Sequence, residues 1–408
     1  MKNFDIYTLG CKLNYSESSA IAAKLVENGW TQGGIPEVII INTCAVTSSA
    51  EKKTRNLASK LHRENPLASL VLIGCYSALK PELLERWSGV IKVFGSHDKM
   101  GVVDYIVNRT EHQAPFFFDA FSVNDRTRSF LKIQDGCNNH CTYCTVWIAR
   151  GKSRSDSKEN VLANIQKIAE AGHHEVNLTG VNVGDFGRGT KVDFLALLKA
   201  IVKQNAIERV RISSIEPDLL SPEIIKLVAK SPILMPHFHM PLQSGCDRIL
   251  KEMHRRYTTQ EYADKVALIR QKMPDACIAC DVIVGFPGET DEEFEETYNF
   301  LKDLPISYMH VFPYSRRPRT HANMMENQIS DTVKHERTER LLELSHAKKI
   351  DFYKQCEGQE RPVLIESEVV EDRLCGFTDN YVRVTVPYDE KLINTIQTVK
   401  IEQCHTIL

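Results

Sequence analysis

The chain has 408 residues, 42% hydrophobic and 25% charged, with 51 Lys and Arg against 53 Asp and Glu. This excludes disorder and collagen-like repeats and predicts two or three domains, each with its own core; no run of 18 apolar residues exists to cross a membrane, and Met1 to Asp5 lacks the layout of a signal peptide, so a cytoplasmic protein is expected. A net charge of -2 argues against wholesale nucleic-acid binding but leaves local patches open, and twelve cysteines in a reducing compartment are expected as thiols, serving as metal ligands, catalytic groups or small buried hydrophobes.

The apolar runs 6–11, 38–44 and 70–75 are strand-like and end in Cys11, Cys44 and Cys75. Amphipathic stretches at 16–28 and 48–64 predict helices between them, the second opening with capping-box spacing from Ser48 to Glu51. A fourth strand at 90–94 and a helix from about Met100 follow. This rhythm predicts a parallel, doubly wound sheet. Right-handed crossovers put the carboxyl ends of its strands on one edge, so the three cysteines should converge there. Residues 113–128, with Phe116, Phe117 and Phe118, read as a linker lying on a neighbour. Six strand-helix units then suggest a partial barrel, with strands at 130–134, 175–179, 209–213, 237–240, 279–284 and 308–312. A charged helix at 331–356 leads to apolar runs at 361–366 and 381–386, which predict a small antiparallel β domain. The expected domains are 1–112, 129–350 and 351–408.

The most specific motif is Cys137-Asn138-Asn139-His140-Cys141-Thr142-Tyr143-Cys144, a C-x3-C-x2-C loop after the first barrel strand. Three thiolates on one short loop can hold three corners of a cubane [4Fe-4S] cluster and leave the fourth iron open to substrate. Three buried thiols or a zinc site are the alternatives, although structural zinc usually takes four protein ligands. The N-terminal trio, taken alone, can equally be small residues at strand ends. The loop resembles that of the radical S-adenosylmethionine superfamily, with Tyr143 as the aromatic residue before the last cysteine. That resemblance implies a partial (βα)6 barrel and an open iron that chelates the methionyl moiety of S-adenosylmethionine.

With the cysteine trio ahead of this loop and a β tail behind it, the whole chain resembles the methylthiotransferase family. Supporting stretches include Asn42-Thr43-Cys44-Ala45-Val46-Thr47, Arg211-Ile212-Ser213-Ser214-Ile215-Glu216-Pro217 and Gly285-Phe286-Pro287-Gly288-Glu289-Thr290. The resemblance implies a flavodoxin-like N-terminal domain holding an auxiliary [4Fe-4S] cluster through Cys11, Cys44 and Cys75, a radical barrel with its own [4Fe-4S] cluster on Cys137, Cys141 and Cys144, and a C-terminal TRAM-like domain that binds RNA. Gly10-Cys11-Lys12-Leu13-Asn14, with Glu17-Ser18 after it, resembles the branch that acts on threonylcarbamoyladenosine in tRNA. The isopentenyladenosine branch favours G-C-Q-M-N, and the ribosomal-protein branch G-C-x-K-N. Gly184-Asp185-Phe186-Gly187 also fits the first branch. Arg319 stands where the family usually carries glycine before Thr320.

The implied reaction is methylthiolation at carbon 2 of N6-threonylcarbamoyladenosine at position 37 of tRNA. The implied partners are the tRNA anticodon stem-loop and a low-potential electron donor such as flavodoxin or ferredoxin. Isopentenyladenosine or a ribosomal protein as substrate, and a non-catalytic RNA-binding iron-sulfur redox sensor, are the competing readings.

Thr179, Gly180, Ser213, Glu216 and Gln243 fall at carboxyl ends of barrel strands, where barrels bind ligands. By position they can touch S-adenosylmethionine or equally cap loops. Residues 285–288 predict a turn. Cys277 and Cys280, three positions apart on a strand, should face opposite ways and serve the core. Cys246, Cys356, Cys375 and Cys404 read as packing residues, and His140 as a capping or solvated residue. For RNA contact, Arg316, Arg317 and Arg319, Arg255 and Arg256 before Tyr257, and Arg373, Phe377, Tyr381 and Arg383 combine cations with aromatic faces that suit unstacked bases. A solvated charged surface is the alternative.

Overall fold

In the computed structural model, which describes residues 2–109, 117–122 and 127–402, the first apolar runs form a parallel sheet buried on both faces. The elements are β1 (Lys2–Thr8), α1 (Lys12–Glu27), β2 (Trp30–Gln32), β3 (Val38–Thr43), α2 (Ser48–Glu64), β4 (Ser69–Gly74), α3 (Cys75–Leu79), α4 (Pro81–Leu84), β5 (Val90–Phe94) and α5 (Gly101–Ile106). The strand order is β2-β1-β3-β4-β5, which places the topological switch point between β1 and β3. Ile39, Ile41, Leu70 and Leu72 pack with Ala58 and Leu61 of α2. On the other face Ile40, Val71 and Ile73 meet Ile21 and Leu25 of α1. Cover on both sides is why these strands read as unbroken apolar runs.

Helix α1 starts a turn earlier than its periodicity predicts, because Asn14, Ser16, Glu17 and Ser18 are polar yet buried. The capping box expected from Ser48 to Glu51 does not form. Thr47 is the cap, accepting from Ala50 N at 3.2 Å, so Glu51 lies one residue too far along. It pairs instead with Lys80 and Arg317.

The middle of the chain comprises β6 (Ala120–Phe121), β7 (Arg128–Lys132), β8 (Gln134–Asp135), α6 (Val146–Arg150), β9 (Arg154–Ser155), α7 (Lys158–Glu170), β10 (Glu175–Thr179), α8 (Phe194–Gln204), β11 (Arg209–Ile212), α9 (Pro222–Lys230), β12 (His237–His239), α10 (Asp247–Glu252), α11 (Thr259–Lys272), β13 (Cys277–Val284), α12 (Asp291–Asp303) and β14 (Tyr308–Pro313). Parallel strands β7, β10 and β11 form one set and β12, β13 and β14 another. A parallel bridge from Val210 to Leu234 joins them into a partial barrel. The first strand, five residues as expected, lies two positions earlier than 130–134, since Gln134 and Asp135 leave it to pair with β9. Part of the expected linker is an edge strand, β6, antiparallel to β7; residues 110–116 and 123–126 lie outside the described residues.

Along β10 and β11, Val176, Leu178, Val210 and Ile212 face the surrounding helices. The alternate positions Glu175, Asn177, Thr179, Arg209 and Arg211 therefore face the interior, giving a polar lumen. Cys280 packs outward in the same core and Cys277 inward against Phe352 and Tyr353, the opposition that strand spacing predicts. Cys246 packs with Ile249 and Phe286, which the turn at 285–288 buries against Tyr314. Cys356 packs with Val363, Cys375 is buried, and Cys404 lies outside the described residues.

The tail consists of α13 (Asp331–Cys356), β15 (Glu360–Val370), β16 (Arg373–Thr378), β17 (Arg383–Pro387) and β18 (Ile396–Lys400), the strands forming an antiparallel sheet in the order β17-β16-β15-β18. The expected boundary between 350 and 351 falls inside α13, whose last turns supply Phe352, Tyr353 and Cys356 to the core of the tail. The sheet covers the amino-terminal ends of the barrel strands. Arg209 donates to the carbonyl oxygens of Pro362 (2.7 Å) and Phe377 (3.1 Å), and Arg211 to those of Thr378 (2.7 Å) and Asp379 (2.8 Å).

Candidate site between two cysteine triads

Cys11 follows β1, Cys44 follows β3 and Cys75 opens α3 directly after β4. These strands are neighbours, so the three thiols meet at one carboxyl edge beside the switch point. Close approach demands glycine before two of them. Gly10 has φ +101°, and a Cβ there would lie 2.8 Å from Cys44 Cβ and 2.9 Å from its Sγ. Gly74 has φ +106°, with Thr43 O only 2.6 Å from where its Cβ would be. Burial pushes the Cys44 thiol up to about 11, and Cys75 and Cys11 add to the shift. Three thiols brought to one sheet edge can each ligate a corner of a cluster, the chemistry of a cubane site.

Beneath this triad lies a buried ion network joining the N-terminal domain to the barrel. Glu17, 0% exposed, accepts from Lys99, from Lys132 at 2.9 Å and from Arg150 at 3.1 Å. Asp135 accepts from Lys132 (3.0 Å), Arg150 (2.8 Å) and Arg154 (2.7 Å). Burial works against ionisation of Glu17, yet Arg150, Lys132 and Lys99 hold its carboxyl well below the usual range. Four cations thus face two carboxylates, and Lys99 and Arg150 act electrostatically on Cys75. A surplus of positive charge suits an anionic thiolate cluster.

The second triad lies on the loop between β8 and α6. Each sulfur accepts one N–H: Cys137 from Asn139 N (3.3 Å), Cys144 from Val146 N (3.3 Å) and Cys141 from the Arg255 guanidinium (3.4 Å). Burial pushes Cys137 up to about 11 and Cys144 to about 12. Three donor-supported sulfurs on one loop fit three corners of a cubane. Arg255 also pairs with Glu216 and donates to the Tyr257 hydroxyl at 3.0 Å. Expected on an RNA face, Arg255 is instead enclosed beside the cysteine loop because two acceptors, the Cys141 sulfur and the Glu216 carboxylate, converge on it. Its contact with Cys141 is the one functional feature of this loop that the sequence reading missed.

Tyr143 and Gln243 line a cavity of about 250 Å³ together with Val46, Cys144, Asp281 and Phe312. Gln243 adopts φ +75° and donates its N–H to Asp281 O at 2.8 Å. Gly180 lies against Gln134, whose Oε1 accepts from Val181 N (3.0 Å) and Asn182 N (2.9 Å). Thr179 is buried, and Ser213 Oγ is buried without a partner among the described residues. His140 is exposed, its ring edge-on to Trp147 at 4.7 Å. A larger cavity of about 810 Å³ lies between the barrel and the tail, but none of the six cysteines lines it.

In the lumen, His239 shares hydrogen bonds with Ser214 Oγ (3.0 Å) and Asp281 Oδ1 (2.9 Å). Lys12, the first residue of α1, holds its ammonium 5.8 Å from the centre of the Phe130 ring. Burial lowers its pKa, with Tyr381 opposing.

The expected RNA residues divide. Arg316, Arg319 and Arg373 are exposed. Arg319 has φ +68°, the conformation glycine adopts at no steric cost, in line with the glycine usual there. Arg317 is 3% exposed and clamps the barrel to α2 through Glu51 and Ser48. Arg383 pairs with Glu368 at 2.8 Å. Phe377 and Tyr381 stack at 4.9 Å and turn toward the barrel, because the Arg128 and Arg211 guanidiniums lie over their faces at 4.6 and 5.0 Å and His237 packs 4.5 Å from Tyr381. Arg317, Phe377 and Tyr381 are thus engaged by contacts within the protein, while Arg383 stays partly exposed beside Glu368.

Comparison with known proteins places this geometry. The Radical SAM superfamily model matches residues 131–301, and that of Uncharacterized protein family UPF0004 matches residues 3–95. The chain is 37% identical to threonylcarbamoyladenosine tRNA methylthiotransferase MtaB of Bacillus subtilis, over 98% of this chain and 94% of that protein. It is 36% identical to the MtaB of Aquifex aeolicus over 92% and 95% of the two chains. It is also 33% identical to tRNA-2-methylthio-N(6)-dimethylallyladenosine synthase of Clostridium perfringens, over 98% and 95%. The solved structure of the radical S-adenosylmethionine methyltransferase TsrM from Kitasatospora setae is similar in fold, with TM-score 0.58 at 13% identity over 92% of this chain and 81% of that one.

Proposed function

The chain belongs to the radical S-adenosylmethionine tRNA methylthiotransferase family, and from that premise we propose that it replaces the hydrogen on carbon 2 of N6-threonylcarbamoyladenosine, beside the tRNA anticodon, with a methylthio group. The observation that carries this reading is near full-length similarity to threonylcarbamoyladenosine enzymes in a chain whose two cysteine triads are held in one assembly. A C–H bond on an aromatic carbon is not acidic, so no side-chain base can remove its hydrogen. When bound, the two [4Fe-4S] clusters and S-adenosylmethionine supply the radical and sulfur chemistry.

The protein's share is placement and charge. Cys137, Cys141 and Cys144 hold one cluster and Cys11, Cys44 and Cys75 the other, three thiolates each. Arg255 offsets charge at Cys141, while Glu216 fixes Arg255. Tyr143, Thr179, Gly180, Ser213 and Gln243 form the S-adenosylmethionine side, and the Glu17 network locks the two triads into one geometry. Exposed Arg316, Arg319 and Arg373 meet the phosphates of the anticodon stem-loop. A low-potential donor such as flavodoxin or ferredoxin supplies electrons in the cytoplasm. Among the described residues no helix is long and apolar enough to cross a membrane.

Two measurements test this. Reconstituted without oxygen, the protein should hold about eight irons, as two cubanes imply, and joint replacement of Cys137, Cys141 and Cys144 by Ala should halve that content. Unchanged iron would show that this loop holds no cluster. In the second, tRNA carrying threonylcarbamoyl groups should gain methylthio and tRNA lacking them should not, as read by nucleoside mass spectrometry. Product on isopentenyladenosine instead would move the protein to the other tRNA branch, which the 33% relatives keep in contention.

A further inference from the structure

Three hydrogen-bond donors in the barrel lumen have no acceptor among the described residues. Lys12 is exposed and among the described residues makes no hydrogen bond or ion pair, its ammonium lying 5.8 Å from the centre of the Phe130 ring. Asn177, 2% exposed, has an unpartnered side-chain nitrogen. Tyr381 accepts from Arg128 at 3.4 Å, which leaves its own O–H undirected. The buried Asn177 nitrogen is costly unless something else occupies it, while Lys12 is exposed and Tyr381 half-buried, so both stay open to a ligand.

The three are linked through the lumen wall. Asn177 sits in register between Phe130 on β7 and Arg211 on β11. Lys12 approaches Phe130 from the N-terminal domain, and Tyr381 reaches the Arg211 guanidinium, 5.0 Å from its ring, from the tail. Tyr381 does so with φ +70°, a left-handed conformation unfavourable for a tyrosine that persists only where its surroundings enforce it. Each domain thus contributes one donor. The neighbouring cations Arg128, Arg209 and Arg211 are already engaged by Glu366 and Glu175, so Lys12 is the charge left over.

We infer that Lys12, Asn177 and Tyr381 form a pocket for the carboxylate-bearing arm on N6 of the target adenosine, and that Lys12 selects an anionic arm over a neutral one. This rests on the reading of threonylcarbamoyladenosine as substrate. The chemistry of adenine suits the placement: carbon 2 and carbon 6 flank the same ring nitrogen, so an arm on N6 lies close to the reacting carbon, and Lys12 directly follows Cys11 of the auxiliary triad. A neutral alkenyl arm seated over Lys12 would strip water from the exposed ammonium without pairing it, a penalty that discriminates against that arm.

The test uses the reconstituted holoenzyme and two anticodon stem-loop RNAs, one with threonylcarbamoyladenosine and one whose threonyl carboxylate is a carboxamide. The wild type should favour the acid in kcat/KM by roughly 10- to 100-fold, the worth of a hydrogen bond to a charged group. Lys12→Gln should bring that ratio to within a few-fold by raising KM for the acid alone, and Lys12→Arg should restore most of it. Fluorescence anisotropy should show weaker binding of the acid RNA only. Iron is measured in each variant; if Lys12→Gln loses its cluster, Asn177→Leu, on the barrel wall, carries the test and should lower the acid preference in the same direction. An unchanged acid-to-amide ratio in the folded, iron-replete variants overturns the pocket while leaving the substrate reading intact. A wild type that ignores both RNAs but modifies an isopentenyladenosine stem-loop overturns both.

Discussion

A folded variant with Cys11, Cys44 and Cys75 all changed to Ala is expected to cleave S-adenosylmethionine to 5′-deoxyadenosine under reducing conditions, yet to form no methylthio product. The two triads lie on different domains and share no ligand. The loop of Cys137, Cys141 and Cys144 keeps its own donors, Asn139 N, Val146 N and Arg255, whatever happens at the N-terminal sheet edge. The reciprocal triple variant should make neither compound. If the N-terminal cysteines were only small residues at strand ends, their loss would leave methylthiolation intact, or would damage folding and both yields together. Measuring 5′-deoxyadenosine and the methylthio nucleoside in one assay, with circular dichroism on each variant, separates these outcomes. Full methylthiolation by the folded variant would remove the auxiliary site and, with it, the chemical reason for assigning sulfur insertion to this chain.

Both triads were legible because local rules suffice to place them. Strands ending at Cys11, Cys44 and Cys75 share a carboxyl edge by the handedness of parallel crossovers alone, and Cys137 to Cys144 occupy one loop. Arg317 and Arg255 were misread for the opposite reason. Arg317 finds Glu51 across 266 positions, and nothing in the neighbouring sequence separates an interdomain arginine from a solvated one. Tyr381 is similar, since Arg128 lies 253 positions away. The lumen did leave a trace. A parallel strand covered on both faces reads as a continuous apolar run, as β3 does, whereas Glu175-Val176-Asn177-Leu178-Thr179 and Arg209-Val210-Arg211-Ile212 alternate. In strands flanked by helices, that alternation means the second face meets a polar cavity, and it points to Asn177 and Arg211 from sequence. The position of Lys12 gave no such trace, since it depends on how α1 docks against β7.

That docking is held by Glu17, and Glu17→Gln isolates the charge from the packing. The amide keeps the shape but leaves Lys99, Lys132, Arg150 and Arg154 with Asp135 as their remaining carboxylate in the network. Breaking a buried ion cluster by removing one partner costs roughly 3–5 kcal/mol. Hydrogen exchange should therefore accelerate in α1 and β7, the elements Glu17 joins, more than in the outer barrel helices. The sign of the pH dependence follows from carboxyl groups held below their ordinary values: their stabilisation is complete above the unfolded range, near 4.5 for Glu and 3.8 for Asp, and is lost on acidification through the depressed folded values. The gap in urea midpoint between wild type and variant should then be constant from about pH 6 to 9 and close only well below the ordinary Glu value. With the domains loosened, 5′-deoxyadenosine formation should outrun methylthio product, because the two triads no longer keep a fixed separation. A variant with wild-type exchange in α1 and β7 and tight coupling of the two products would show that the network is a passive ion cluster, and that some other contact, such as Arg317 with Glu51, sets the geometry between the triads.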